Sequence, residues 1–323
     1  MKNVGSVIRS IKMSNVNDDL SKSIVDSLID VSKDESFCFS DGDVVGVSEE
    51  IVSKYEENFV SINDIIFDIK KKFKCDHIGI VYPTFSINGF DVLFKAIARS
   101  FKKITMVLSY PCDEIGNEIV SWEKLIMNDV NVSKDIIGFD EYVLKYNDFN
   151  VVDYYKNVCD DEGCEFNVLF SNRPEVILDY TKNIIVSSIN ERNYIKERLI
   201  AHGALSVLKL SDIMNEPVNG SGYNLEYGLI GSKGYNDVIW LFPRNGKETI
   251  NDIQKLLFEK TFKNIEVMIY VDSSFKERFI YSNGLNDDDI NLINELCYLI
   301  SKGDNGNIVL MHNFKDRGIN ESK

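Results

Sequence analysis

The sequence lacks most of the features that make a function easy to read. No segment approaches the ~20 consecutive apolar residues needed to cross a bilayer. Met1 to Asn17 carries charge but has neither an apolar h-region nor a small-residue cleavage site, so no secretory signal is expected. Basic charge is in deficit, with 36 Lys and Arg against 51 Asp and Glu, for a net charge of −15. Nucleic-acid affinity comes mainly from cations neutralising phosphates, so neither DNA nor RNA is an expected partner. No G-x-x-x-x-G-K-[ST] is present, which excludes a P-loop NTPase, and no G-x-G-x-x-G follows a strand-like run.

Metal-binding side chains are sparse. The histidines His77, His202 and His312 are isolated from one another. Of the six cysteines, only Cys159 and Cys164 are close, as C-x4-C with no second pair and no nearby histidine. A zinc site needs four N/S ligands at tighter spacing, so reduced thiols in a cytoplasmic protein are the expectation. His202 falls near a predicted helix end, where the helix dipole accommodates it without catalysis. Asp287 to Asp289 could form a metal cluster, yet acids at a helix start are commonplace, and the expectation is the latter.

What is present indicates a folded, mixed α/β chain. Hydrophobic residues make up 44 % of the 323 positions and aromatics 11 %, enough for a substantial core and for about two domains. Asn17, Asp18 and Asp19 precede an apolar stripe of Leu20, Ile24, Val25, Leu28 and Ile29 at helical spacing. The turn cluster Ser40-Asp41-Gly42-Asp43 leads into a short apolar run, and Ser48 with Glu49 and Glu50 begins another helix. From Ile78 to Leu210, continuous apolar strands alternate with amphipathic stretches at Phe90–Phe101 and Glu191–His202. That alternation predicts a covered, largely parallel sheet. Beyond Pro217, glycines crowd at positions 220, 222, 228, 231 and 234. They read either as a surface loop or as backbone free to approach an anion. Further helices are expected from Thr249 and from Asn286, with strands at Ile265–Val271 and Ile308–Met311. Asp272, directly after the first of those strands, is the best single ligand candidate, because open α/β sheets place ligand chemistry at strand carboxyl ends.

The order of these segments resembles the γ-glutamyl ligases that extend the tail of the deazaflavin coenzyme F-420. Asp18-Asp19-Leu20 is similar to that family's G-D-D-L. Asp41-Gly42-Asp43-Val44-Val45 followed by Ile51-Val52-Ser53-Lys54 resembles its D-G-D-V-L-V-V and I-[VS]-S-K-A-E-G, with Glu56 matching the glutamate. Gly228-Leu229-Ile230-Gly231-Ser232 resembles G-I-D-x-S-N, but the metal-binding Asp is replaced and Lys233 stands near the Asn position. Leu241-Phe242-Pro243 resembles the L-x-P-x-D segment. Val271-Asp272-Ser273 is similar to the D-T of D-T-x-G-R-x-F-R, without its G-R. The runs Tyr110–Asn117 and Ser221–Asn224 resemble clostridial-type bacterial members.

The resemblance implies a nucleotide-dependent amide ligase that joins glutamate to a carboxylate through an acyl phosphate. It implies GTP or ATP, Mn2+ or Mg2+, and a homodimer. The implied metal ligands are Asp272 and Ser273, with Glu226 as a candidate for the missing carboxylate. The implied nucleotide-binding residues are Ser48, Ser53, Lys54, Gly228, Gly231, Ser232 and Lys233. The alternative is a ligase fold that has lost catalysis and binds a nucleotide or another small ligand. The expected architecture is an α+β ligase-like core built from residues 1–73 and 211–323, with an α/β lobe at 74–210.

Overall fold

The computed structural model describes residues 7–13, 19–84, 90–133, 137, 143, 150–230, 233–235, 237–271, 281–283, 285, 287–304 and 306–312. In chain order the N-terminal elements are β1 (Ile8–Ile11), α1 (Leu20–Asp34), β2 (Val44–Ser48), α2 (Glu49–Tyr55), β3 (Phe59–Ser61) and α3 (Ile62–Lys72). There follow β4 (His77–Val81), α4 (Phe90–Ser100), β5 (Lys103–Leu108), α5 (Trp122–Met127), α6 (Val151–Asp161) and β6 (Glu165–Phe170). A 3-10 turn at Pro174–Asp179 precedes β7 (Asn183–Val186), α7 (Arg192–Ala201) and β8 (Ser206–Lys209). The chain closes with β9 (Lys233–Tyr235), β10 (Val238–Trp240), α8 (Gly246–Thr261), β11 (Glu266–Tyr270), β12 (Tyr281–Asn283), α9 (Asp287–Asp304) and β13 (Ile308–Met311). The fold is mixed α/β.

Two compact units divide the chain, one formed by residues 1–57 and 243–323, the other by 58–242. The sequence places the boundaries instead near 73 and 211. Residues 58–73 and 211–242 pack with the parallel sheet for local reasons. β3 pairs antiparallel with β10, α3 packs on α4, and Asn58 Nδ2 donates to the Phe242 carbonyl at 2.6 Å.

The first unit is a five-stranded sheet in the order β1-β13-β2-β11-β12. Within it β2 and β11 are parallel and the other pairs antiparallel. On one face Leu20, Ile24 and Leu28 of α1 and Ile250, Ile253 and Leu257 of α8 pack against Val45, Val47, Val267 and Ile269. On the other, Ile293 and Cys297 of α9 meet Val44, Met268, Tyr270 and Val309. Burial on both faces explains why these strands read as unbroken apolar runs. The close approach of α9 requires Gly46, since a Cβ there would lie 2.4 Å from Cys297 Sγ.

The second unit holds an all-parallel sheet in the order β6-β5-β4-β7-β8, with the three-stranded β3-β10-β9 sheet beside it. The first parallel strand in sequence is central and the chain winds outward in both directions, the doubly wound arrangement. The 3-10 turn and α7 cover one face through Ile177, Ile195 and Leu199. On the other, the rings of Phe94 in α4 and Tyr155 in α6 meet Phe166.

Candidate functional site

Ser48, Ser53 and Lys54, singled out from sequence, lie at or just beyond the carboxyl end of β2 in the first unit's sheet. β2 and β11 run parallel with Ser48 registered against Tyr270, so their carboxyl ends lie side by side. Ser48 ends β2 and caps α2, its Oγ accepting the Glu50 N–H at 3.3 Å. Glu49 and Ser53 are buried. Lys54 is exposed and pairs with Glu50 one turn earlier at 2.5 Å. The exit of β11 is fixed where the buried Asn294 of α9 accepts the Val271 N–H at 2.8 Å. Burial pushes the Tyr270 phenol up to about 12, with the Cys297 thiol and Glu49 carboxylate adding to it. Asp272 and Ser273 lie outside the described residues.

The acids of the D-G-D segment are occupied by the fold. Asp41 Oδ1 accepts the Asn264 N–H at 2.8 Å. That bond, aided by the charge of Lys263, holds the Asp41 carboxyl below its ordinary range. Gly42 adopts φ +85 and donates to the Asn264 carbonyl, a turn that favours glycine. Asp43 is fully buried, accepting from Ser40 N at 2.9 Å and lying 3.0 Å from His312 Nδ1. These motif residues anchor the β2 and β13 ends of the sheet.

Glu56 closes the same region. It caps the C-terminus of α2, and its two carboxylate oxygens accept the N–H groups of Arg244 at 2.6 Å and Asn245 at 3.0 Å. Arg244 Nη2 returns a bond to the Glu56 carbonyl at 2.8 Å. Glu56 therefore joins the segment resembling S-K-A-E-G to the one resembling L-x-P-x-D, immediately before α8. Burial raises its carboxyl pKa, opposed by the two amides and the Arg244 charge.

The glycine-rich stretch belongs to the second unit and is tightly packed. A Cβ at Gly222 would lie 2.7 Å from Asn58 Oδ1 and from the Phe59 backbone. Gly228 adopts φ +52, and a Cβ there would meet the Ile213 carbonyl at 2.4 Å. Its N–H already donates to the Asn224 carbonyl. Asn224 Oδ1 accepts from Glu226 N and Tyr227 N, while its Nδ2 and that of Asn58 share the Phe242 carbonyl. Sequence reasoning missed Asn58, whose partners are distant along the chain. Glu226 is exposed, and Ile230, at the position of the family's metal-binding Asp, is buried. Lys233 lies in β9, while Gly231 and Ser232 fall outside the described residues.

Thus Ser48, Ser53 and Lys54 are placed in the first unit, and Glu226, Gly228 and Lys233 in the second. Among the described residues no three His, Cys, Asp or Glu side chains are grouped to hold a metal. The described donors therefore do not by themselves fit a divalent ion. His202 caps α7, its Nδ1 lying 2.8 Å from the Arg198 carbonyl, and Cys159 and Cys164 are buried free thiols. Among the described residues no helix is long and apolar enough to cross a membrane.

A family model described as F420-0:Gamma-glutamyl ligase matches residues 10–284. No curated protein matches the chain. The match covers most of the sequence, and the chain belongs to this ligase family.

Proposed function

We propose that this member of the γ-glutamyl ligase family forms an amide between the amine of L-glutamate and a small-molecule carboxylate, driven by GTP or ATP. A substrate carboxylate oxygen attacks the γ-phosphorus, and the nucleoside diphosphate leaves. The glutamate amine then attacks the acyl carbon, inorganic phosphate departs, and the nitrogen loses a proton. The observation carrying this reading is the parallel pairing of β2 with β11. It sets Ser48 and the start of α2 beside the strand end that leads to Asp272.

In this reading Lys54 supplies positive charge to the nucleotide phosphates. The Glu56 bonds to Arg244 and Asn245 hold α2 against the start of α8, which limits the space Lys54 can search. A divalent ion, Mn2+ or Mg2+, is assigned to Asp272 and Ser273, and would neutralise phosphate charge. We further propose a homodimer working in the cytoplasm.

A second reading is supported by Ile230. A buried apolar side chain where the family places a metal carboxylate suits a ligase fold that keeps a small-ligand site without turnover.

Calorimetric titration with GTP or ATP and Mn2+ or Mg2+, alongside an assay for nucleoside diphosphate release with L-glutamate, separates the two. The ligase reading expects metal–nucleotide binding that Asp272→Asn abolishes while leaving the fold intact, because the ion needs anionic oxygen on a rigid element. Binding without turnover over a range of carboxylate acceptors favours the second reading. Equal binding by the parent and Asp272→Asn removes the metal assignment.

A further inference from the structure

The second unit carries polar groups that the ligase reading leaves unused. β4 and β7 are neighbours in the parallel sheet, yet the chain leaves β4 for α4 on one face and β7 for α7 on the other. Open α/β sheets receive ligands at the carboxyl edge of such a switch point. Topology gives only the place; the residues must supply the chemistry.

Ser187 directly follows β7, and its N–H donates to the Val81 carbonyl at the end of β4 at 2.9 Å. Its hydroxyl is buried, with the residue 1 % exposed, and has no hydrogen-bond partner among the described residues. Buried polar groups are rarely left so, and an unpaired one calls for an explanation. The next three residues present donors to a single anion. Ser188 Oγ, Ile189 N and Asn190 N bond the carboxylate of Glu114 at 2.8, 2.5 and 3.0 Å.

Glu114 lies in the loop after β5, and β5 and β7 flank β4, so its side chain spans the end of the central strand. That loop is braced. Asp113 accepts the N–H groups of Ile115 and Asn117, and Asn172 both donates to and accepts from the Tyr110 backbone. Among the described residues no cation pairs with Glu114, and burial raises its carboxyl pKa, with Asp113 adding to the rise. Two backbone amides and a hydroxyl around one oxyanion form the kind of concavity that holds phosphates and carboxylates.

We propose that this carboxyl edge binds a small molecule bearing a phosphate or carboxylate group, whose anion takes the three donors that Glu114 now holds. The inference goes beyond the ligase reading and stands independently of it, since none of its residues is assigned to nucleotide or metal.

Titration of the full chain with inorganic phosphate, and separately with acetate, tests it. Glu114→Ala should bind at least one of these ions about tenfold more tightly than the parent, a change of roughly 1.4 kcal/mol. Adding Ser188→Ala to Glu114→Ala should reverse most of that gain, and the bound ion should shift the amide resonances of Ile189 and Asn190. Tighter phosphate than acetate binding identifies a phosphate-bearing ligand, and the opposite order a carboxylate. A folded Glu114→Ala that binds neither ion better than the parent overturns the proposal, as does a gain that Ser188→Ala leaves untouched. If Glu114→Ala does not fold, Glu114→Gln keeps the shape without the charge and carries the same two outcomes.

Discussion

Glu56 in the first unit and Glu114 in the second make nearly the same bonds in different electrical settings. Each sets its two carboxylate oxygens against consecutive backbone amides, Arg244 and Asn245 for one, Ile189 and Asn190 for the other. Burial raises both carboxyl pKa values. Around Glu56 the guanidinium of Arg244 stands 3.8 Å from a carboxylate oxygen and also bonds the Glu56 carbonyl, while the Glu248 carboxylate pushes the pKa the other way. Around Glu114 the neighbouring charge is the carboxylate of Asp113, which raises the pKa further. A compensated carboxylate is a fixed joint, whereas an uncompensated one invites replacement by an anion better suited to the donors. Geometry alone does not tell them apart.

The largest expected effect is on stability. Glu56→Ala leaves two amides at the start of α8 without their acceptor and removes the carboxylate beside the Arg244 guanidinium. The loss should be about 2–3 kcal/mol in urea unfolding. Glu114→Ala should cost at most about 1 kcal/mol, because removing an uncompensated buried charge offsets much of the lost bonding. Equal losses would break the comparison and make Glu114 a second fixed joint.

A smaller effect should appear in the pH dependence. Free glutamate side chains titrate at about 4.3, and both groups titrate above their ordinary value in the fold. A raised carboxyl pKa means the native state holds its proton longer than the unfolded chain. Each group therefore contributes stability at pH below the unfolded value, and that contribution is lost as pH rises through the folded value. Glu114→Gln and Glu56→Gln should each flatten the fall in stability on moving from about pH 4 toward neutrality. The neighbouring charges differ in sign: Asp113 raises the Glu114 pKa, while beside Glu56 the Arg244 charge lowers it and the Glu248 carboxylate raises it.

Sequence reading reached elements better than partners. The strand Ile308–Met311 and the helix beginning at Phe90 stand where apolar periodicity places them, and Asp19 caps α1 as its residue type suggests. The order β6-β5-β4-β7-β8 was not legible, because strand adjacency depends on contacts between residues far apart in the chain. β3 was missed because three residues carry too little periodicity. Gly228 is conspicuous in sequence, yet the carbonyls of Leu210, Ser211 and Ile213 that require it come from a different stretch. Glu114 sits in the family-like run Tyr110–Asn117, but only the fold reveals that its partners begin seventy-four positions later, at Ser188.

Lys54 provides the smallest change in stability and the cleanest separation of the two regions. Its pair with Glu50 is exposed on both sides, and such pairs are worth roughly 0–1 kcal/mol. Lys54→Ala should therefore leave urea unfolding almost unchanged. If Glu56 and α8 serve to hold α2 at a nucleotide site, the same substitution should still weaken GTP or ATP binding several-fold, even without metal, since the lost charge acts on phosphate directly. It should leave inorganic phosphate binding by Glu114→Ala untouched, because the donors there belong to Ser188, Ile189 and Asn190. Measured by calorimetry in both backgrounds, a Lys54→Ala effect confined to nucleotide would assign the two anion-binding roles to separate residues. An equal loss of both ligands would point to general charge reduction, and no loss of nucleotide would remove Lys54 from the site.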